Sequence, residues 1–340
     1  MANQSSYSSV SLPFASLISL KFENMNGWEE WDCKNVMCAF PCLRRLFINN
    51  FPNLKECLPE KLLIANCNQL VASVPLAPFI HVLYLRSCGR LHFDYQPSTL
   101  RCLRVDGCCM EESLLEWVGH NLSQISLHTL IIWDCPNMNI PLSCCYNFLE
   151  KLDIFGSCDS LRTFPLDSFL KLKYLRLEKC LNLEMTSLEH DHSLTHLYII
   201  ECPKFVSFPI TFSAPKLEYF KICDLDNLKS LPECMHNLFP SLTRLDIKNC
   251  PQLESFSDGG LPSSLKDLSL NGCSKLFTIS LKRTLGINTS LKKVYFENMD
   301  VESFPDIGLL PLSLTSLSIH GCQNLKNLDY KGLCLPPLLS

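Results

Sequence analysis

The residues best equipped for chemistry are the 21 cysteines and 9 histidines of this 340-residue chain. Cys33, Cys38 and Cys42 lie close together, but they lack the paired C-x-x-C knuckles from which a structural zinc site is built. His190, His192 and His196 form an H-x-H-x-x-x-H string. Read along a strand, His196 alternates outward while the other two precede it, so a solvated rim is expected there and not a metal centre. The neighbouring carboxylates Glu29-Glu30 and Glu111-Glu112 point in different directions on one segment and cannot flank a shared substrate bond. No Gly-x-x-x-x-Gly-Lys-Ser/Thr loop occurs, and the 12 scattered glycines form neither a phosphate cradle nor a dinucleotide fingerprint. The sequence therefore predicts no catalytic residue, no cofactor and no metal, and leaves recognition by surface contact.

Composition narrows the partners. At 47% hydrophobic and 19% charged residues, the chain can support a core along most of its length. A net charge of −4, with Lys and Arg scattered singly, offers no clustered positive field for a phosphate backbone, so nucleic acid is not an expected partner. The opening Met1-Ala-Asn-Gln-Ser-Ser-Tyr7 has neither a basic nor an apolar region of a secretory signal, which predicts a cytoplasmic protein. The uncharged stretch from Leu62 to Leu85 carries Asn66, Asn68, Gln69, Pro75, Pro78 and His81; two repeat strands explain it better than a membrane span. In that setting the cysteines are expected as free thiols, and the Asn-x-Ser triplets at Asn3, Asn121 and Asn288 as unmodified.

The elements that must carry any such surface are repeats. A Leu-x-x-Leu-x-Ile-x-x-Cys pattern recurs at Leu43, Ile80, Leu100, Leu127, Leu149, Leu172, Leu194, Leu217, Leu242, Leu265, Leu291 and Leu314. Two degenerate copies, Leu17-x-x-Leu20-x-Phe22-x-x-Met25 and Leu62-x-Ile64-x-x-Cys67, bring the total to about fourteen. The spacing of about 20 to 27 residues is that of leucine-rich repeats. Within each copy the second and third anchors alternate with polar neighbours at the period of a half-buried strand. One repeat cannot close a core, and stacking places equivalent strands side by side about 4.8 Å apart. The expected fold is a leucine-rich-repeat solenoid over 12–330. A curved parallel β-sheet should line its concave side, with short turns and extended or 3-10 segments on its convex side. A polar segment, 1–11, precedes it and a truncated repeat, 331–340, follows.

Ten turns place Cys after the strand, at Cys67, Cys88, Cys108, Cys135, Cys158, Cys180, Cys202, Cys250, Cys273 and Cys322. A small, weakly donating thiol suits a buried position against turning backbone. Many turns run on into Cys-Pro-x-Leu, Phe-Pro or Leu-Pro, as at Pro136, Pro165, Pro203, Pro209, Pro232, Pro251 and Pro305. Proline fixes φ and removes a donor, which predicts extended segments and not long helices on the outer side.

Three runs carry a family resemblance. Pro13-Phe14-Ala-Ser-Leu17 leading through Phe22 and Met25 to Trp28-Glu29-Glu30-Trp31, the Phe40-Pro-Cys-Leu-Arg-Arg-Leu-Phe-Ile run with Pro52-Asn-Leu54, and Leu242-Thr-Arg-Leu-Asp-Ile-Lys-Asn-Cys-Pro-Gln-Leu-Glu-Ser-Phe256 resemble the repeat region of plant intracellular NLR disease resistance proteins of the coiled-coil, nucleotide-binding class. The resemblance covers 12–330. It implies a recognition and regulatory module in innate immunity, with a pathogen effector, a guarded host protein or the parent receptor's own nucleotide-binding domain as protein partner. The coiled-coil and nucleotide-binding modules do not occur in this sequence, so nucleotide switching is not implied. A competing reading is the substrate-recognition adaptor of an F-box ubiquitin ligase, whose F-box of about forty residues should precede the repeats.

For either reading the contact surface is expected on the outward strand positions that flank each third anchor. These are Ile131 and Trp133, Asp153 and Phe155, Arg176 and Glu178, and Tyr198 and Ile200. Four neighbouring turns would expose apolar and aromatic groups beside charged ones, the composition of interaction anchors.

Overall fold

The computed structural model describes residues 16–17, 19–25, 27–28, 45–49, 61–67, 72–74, 81–88, 91–93, 99–107, 126–138, 140, 146–187, 193–209, 212–232, 234–256, 260–276, 285, 290–304 and 310–328, with backbone alone for the strands at 45–49, 61–67, 72–74 and 91–93. The chain divides into two compact units, Met1–Leu127 and His128–Ser340. Cys33, Cys38, Cys42, Glu29-Glu30, Glu111-Glu112, His190, His192 and the segments 1–11 and 331–340 lie outside the described residues.

In the first unit the strands Ser19–Glu23, Arg45–Asn49, Lys61–Cys67, Val82–Cys88 and Cys102–Asp106 form one parallel ladder. The degenerate copies at Leu17 and Leu62 thus supply strands like the others. Leu83, Leu85, Leu103 and Val105 are buried, and Leu100 is buried just ahead of its strand. Ala72–Val74 and Leu91–Phe93 pair as a second, short parallel sheet.

The second unit repeats this more regularly. Nine strands pair in parallel, each with the next: Thr129–Trp133, Lys151–Phe155, Tyr174–Glu178, His196–Ile200, Tyr219–Cys223, Arg244–Lys248, Asp267–Asn271, Lys293–Glu297 and Ser316–His320. The first anchor of each repeat ends a turn just before the strand. Leu172 donates its N–H to the Phe169 carbonyl at 3.0 Å and Leu242 to that of Phe239 at 3.1 Å. The second and third anchors occupy the second and fourth strand positions. Leu245 and Ile247 are about 0% and 1% exposed, so each contributes roughly 1.5–3 kcal/mol relative to exposure.

Each strand ends in a residue with positive φ, among them Asp134, Gly156, Lys179, Glu201, Asp224, Asn249, Gly272 and Asn298. The chain reverses there, yet the backbone ladder continues one step further. Asp134 N–H donates to the Phe155 carbonyl at 2.8 Å, and Asn249 N–H to that of Asn271 at 2.8 Å. One residue later the conserved geometry of the stack places a thiol. Cys135 Sγ donates to the Trp133 carbonyl at 3.1 Å, Cys202 to that of Ile200 at 3.3 Å, Cys250 to that of Lys248 at 3.3 Å and Cys273 to that of Asn271 at 3.3 Å. The thiol therefore gives the last carbonyl of the strand a second donor, beside the N–H that Asn249 offers Asn271 and Lys179 offers Ile200.

Cys158 corrects the expected alignment. Its turn has one extra residue, and Ser157 fills the slot, donating to the Phe155 carbonyl at 2.7 Å and accepting the Cys135 N–H at 2.9 Å. Cys158 follows as a second left-handed residue with φ +61°. Burial, then the neighbouring Cys135, pushes its thiol up to about 12.

The far side of the stack holds short elements: paired strands Thr163–Pro165 and Met185–Ser187, paired strands Ser303–Phe304 and Asn327–Leu328, a 3-10 turn at Leu166–Ser168, and helical turns at Met235–Leu238 and Ser274–Leu276. Phe164, Phe205, Phe212 and Phe239 fill the space beneath them. The extended and 3-10 segments expected from the proline spacing are thus present. No helix among the described residues is long and apolar enough to cross a membrane.

Candidate protein-contact surface

Alternation along five-residue strands sends the first, third and fifth positions to the outer face of the sheet. The pairing register stacks them into three columns. The third-position column runs Ile131, Asp153, Arg176, Tyr198, Lys221 and Asp246; the fifth runs Trp133, Phe155, Glu178, Ile200, Cys223 and Lys248. All eight residues singled out by the sequence stand in these two columns.

They are not equally available. Ile131, Trp133, Phe155, Arg176, Tyr198 and Ile200 are half-buried, whereas Asp153 and Glu178 are only 5% and 8% exposed. The expected exposed charged pair is thus corrected. Arg176 forms ion pairs with Glu178 and, at 4.0 Å, with Asp153, while Trp133 Nε1 donates to Asp153 Oδ1 at 3.3 Å. Adjacent strands bring these groups close enough for one guanidinium to serve both carboxylates. The carboxylates support Arg176 and Trp133 from below and do not reach outward themselves. Trp133 and Phe155 are in tilted ring contact at 6.1 Å, and Lys179 Nζ sits 4.9 Å over the Phe155 ring.

The first-position column, Lys151, Tyr174, His196, Tyr219 and Arg244, was missed by following only the third anchor. The same alternation about the second anchor would have found it. Together with Tyr198 it makes the most continuous aromatic surface described. Tyr174 meets His196 at 6.2 Å and Tyr198 at 5.1 Å; Tyr219 meets His196 at 6.1 Å and Tyr198 at 5.2 Å. Cations close both ends, with Lys151 Nζ 4.7 Å over Tyr174 and the Arg244 guanidinium 4.9 Å over Tyr219. Such contacts contribute about 0.5–1 kcal/mol each where exposed.

The electrostatics keep these tyrosines as donors. Burial first, and then Asp153, pushes Tyr174 up to about 12. Burial followed by the hydrogen bond to Asp246 raises Tyr219 further, and burial raises Tyr198. Tyr219 Oη donates to Asp246 Oδ2 at 2.5 Å, and Arg244 holds the same carboxylate with Nε to Oδ1 at 3.2 Å and its terminal nitrogen to Oδ2 at 3.0 Å. His196 Nδ1 lies 3.0 Å from Thr195 Oγ1. Among the described residues no group of three or more His, Cys, Asp or Glu side chains could hold a metal ion. The surface offers rings, phenolic protons and cations, which is contact chemistry.

A parallel ladder of Leu-x-x-Leu-x-Ile repeats with a Cys-turn after most strands defines a leucine-rich-repeat protein. No family model matches the chain. Its curated relatives are plant disease resistance proteins. A disease resistance protein of Arabidopsis thaliana is 33% identical over 282 residues, covering 73% of this chain and 20% of the relative. The disease resistance RPP13-like protein 1 of the same plant is 26% identical over 243 residues, covering 71% and 16%. The Arabidopsis thaliana protein suppressor of npr1-1, constitutive 1, is 29% identical over 231 residues, covering 66% and 15%. The chain spans about a fifth or less of the length of these relatives. The resemblance carried by the repeats is thus a relationship to plant disease resistance proteins. A solved complex of TLR13 with ssRNA13 aligns with 92% of this chain and 64% of its own at 18% identity and a TM-score of 0.37.

Proposed function

We propose that the chain acts as the recognition and regulatory module of a plant innate immune receptor, working in the cytoplasm. Its outer sheet face would contact a pathogen effector, a guarded host protein or the receptor's own nucleotide-binding domain. The observation that supports this reading is the half-buried aromatic and cationic face of the second unit, displayed by a relative of disease resistance proteins. Aromatic rings and Arg dominate binding hot spots, and a contiguous surface of this kind on a rigid ladder is costly to leave uncovered. No proton-transfer step is required of the tyrosines, since all three are held protonated.

The test is to place Trp133→Ala, Phe155→Ala and Tyr198→Ala together in the receptor that carries this region and to follow abundance, partner co-purification and cell-death signalling. Normal abundance with lost recognition, or with unprompted signalling, is the expected result. Normal abundance with binding and signalling unchanged would overturn the reading.

A further inference from the structure

Five neighbouring strands of the second unit carry on their outer face a charge balance unlike that of the whole chain. The protein carries a net −4, yet on the five strands from Lys151–Phe155 to Arg244–Lys248 the outward positions hold five cations, Lys151, Arg176, Lys221, Arg244 and Lys248, and three carboxylates, Asp153, Glu178 and Asp246. Each carboxylate is already engaged: Asp153 by Trp133 and Arg176, Glu178 by Arg176, and Asp246 by Arg244 and Tyr219. Lys221 and Lys248 form no ion pair among the described residues. The nearby rim carboxylate Asp224 takes hydrogen bonds from Cys223 Sγ at 2.9 Å and Asn249 Nδ2 at 2.8 Å, and attraction to Lys248 and Lys221 adds to them in lowering its pKa. Tyr174 and Tyr198 hydroxyls have no hydrogen-bond partner among the described residues, and burial keeps both protonated. What this face presents outward is therefore donors and positive charge around an aromatic centre, with its acceptors turned inward.

From this juxtaposition we infer that the Tyr174–Tyr198–Tyr219 cluster with Lys151, Lys221 and Lys248 is a docking site for an acidic, extended segment of a partner protein bearing an apolar side chain. The inference rests on the recognition reading above and adds the chemistry of the partner. Charge complementarity carries it, because opposite potentials steer encounter and fix register while desolvated rings supply the anchor. The geometry suits an extended segment. Five strands at about 4.8 Å spacing span about 19 Å, the length of roughly six residues at about 3.3 Å each. Carboxylates of such a segment would accept from Lys221, Lys248 and the two free phenols, and its apolar residue would cover the ring faces between Tyr198 and Tyr219.

The test uses the whole chain and a fluorescein-labelled glutamate-rich peptide with one central leucine, beside its lysine-rich counterpart. At about 0.15 M salt, where surface attraction is already screened beyond about 8 Å, the glutamate peptide should bind saturably and the lysine peptide should not. The double variant Lys221→Glu with Lys248→Glu should weaken glutamate-peptide binding at least about tenfold and bind the lysine peptide instead, with only a small fall in thermal melting, because both side chains lie outside the core and lose a screened attraction to Asp224. Tyr174→Phe with Tyr198→Phe keeps the rings and removes the donors, and should weaken binding by a smaller factor. Equal affinity for both peptides, no saturable binding of either, or unaltered affinity in the charge-reversed variant overturns the acidic-partner inference. Placed in the carrier receptor, the charge-reversed variant separates the two levels. Lost recognition without peptide binding rejects the acidic segment but keeps the recognition module, whereas peptide binding with intact signalling does the reverse.

Discussion

Two sets of positions share every strand of the second unit and obey different rules. The second and fourth residues are apolar on every strand, and in the pairs Leu152 and Ile154, Leu175 and Leu177, Leu197 and Ile199, and Leu245 and Ile247 they are Leu or Ile and at most 1% exposed. The first, third and fifth residues of the same strands include Lys, Asp, Phe, Tyr, Arg, Glu, His and Ile. The backbone is identical, so the difference lies in what each side chain must satisfy. An inward side chain must match the volume left by the turns above and below, and that volume repeats. An outward side chain meets its neighbours in the column, which differ from turn to turn. The inner set therefore specifies the architecture, and the outer set is free to specify a partner.

The largest effect that would break this contrast is at Leu245, buried between the anchors Phe220 and Leu268 of the flanking strands. Leu245→Ala should cost about 2–5 kcal/mol, because a cavity is left beneath strands whose own packing prevents collapse. Arg244→Ala, one residue away and outward, should cost well under half of that, since its ion pair with Asp246 is exposed. Urea unfolding of the two variants decides the matter, and equal losses would refute the inward and outward assignment.

A second, smaller effect separates the turn from both faces. Gly272 has φ +65°, and a Cβ there would lie 2.6 Å from Asn249 Oδ1. Gly272→Ala should therefore lose about 1–2 kcal/mol for the left-handed backbone alone, plus the displacement of Asn249 and its hydrogen bond to Asp224. Lys179, with φ +54° in the equivalent place, should respond in the opposite sense. Lys179→Gly relieves the same conformational cost while forfeiting an exposed contact to Glu201 at 3.7 Å and the half-exposed approach of Nζ to the Phe155 ring. Thermal melting that moves the two variants in the same direction would show that the turn is not the strained element.

The same contrast explains what could be read without coordinates. Period-two alternation and the recurring Cys located the strands, including the degenerate copies at Leu17 and Leu62, because a repeated volume leaves a repeated residue. The recurring Cys points to Cys158, whereas the strict spacing from Leu149 reaches Ser157, and the extra residue of that turn lies after the slot. The outward columns were legible as positions but not as chemistry. Asp153 and Glu178 look exposed by alternation, and only the reach of Arg176 and Trp133 across strands buries them. Tyr174, His196 and Tyr219 are reachable by alternation about the second anchor, but their ring contacts run between turns more than 20 residues apart, where no local spacing records them.

The smallest effect tests whether those rings are as enclosed as the geometry makes them. Tyr174 is held at about 12, above its ordinary 10, first by burial and then by Asp153, with Tyr198 and Glu178 adding to the rise and Arg176 opposing it. A group whose folded pKa is raised keeps its proton more tightly in the native state, so its contribution to stability is complete below about pH 10. That contribution is lost as pH climbs toward 12. Tyr174→Phe removes the titration but leaves the ring against Lys151 and His196. Other tyrosines, lysines and buried thiols titrate in the same window, but they are common to both proteins and cancel in the difference. The urea midpoint of the wild-type chain should consequently fall more steeply between pH 10 and 12 than that of the variant, while the two slopes agree between pH 7 and 9. Parallel slopes across the whole range would mean that the Tyr174 hydroxyl is as well hydrated in the fold as in the unfolded chain, and the outward column would then be a set of separate exposed side chains and not a continuous surface.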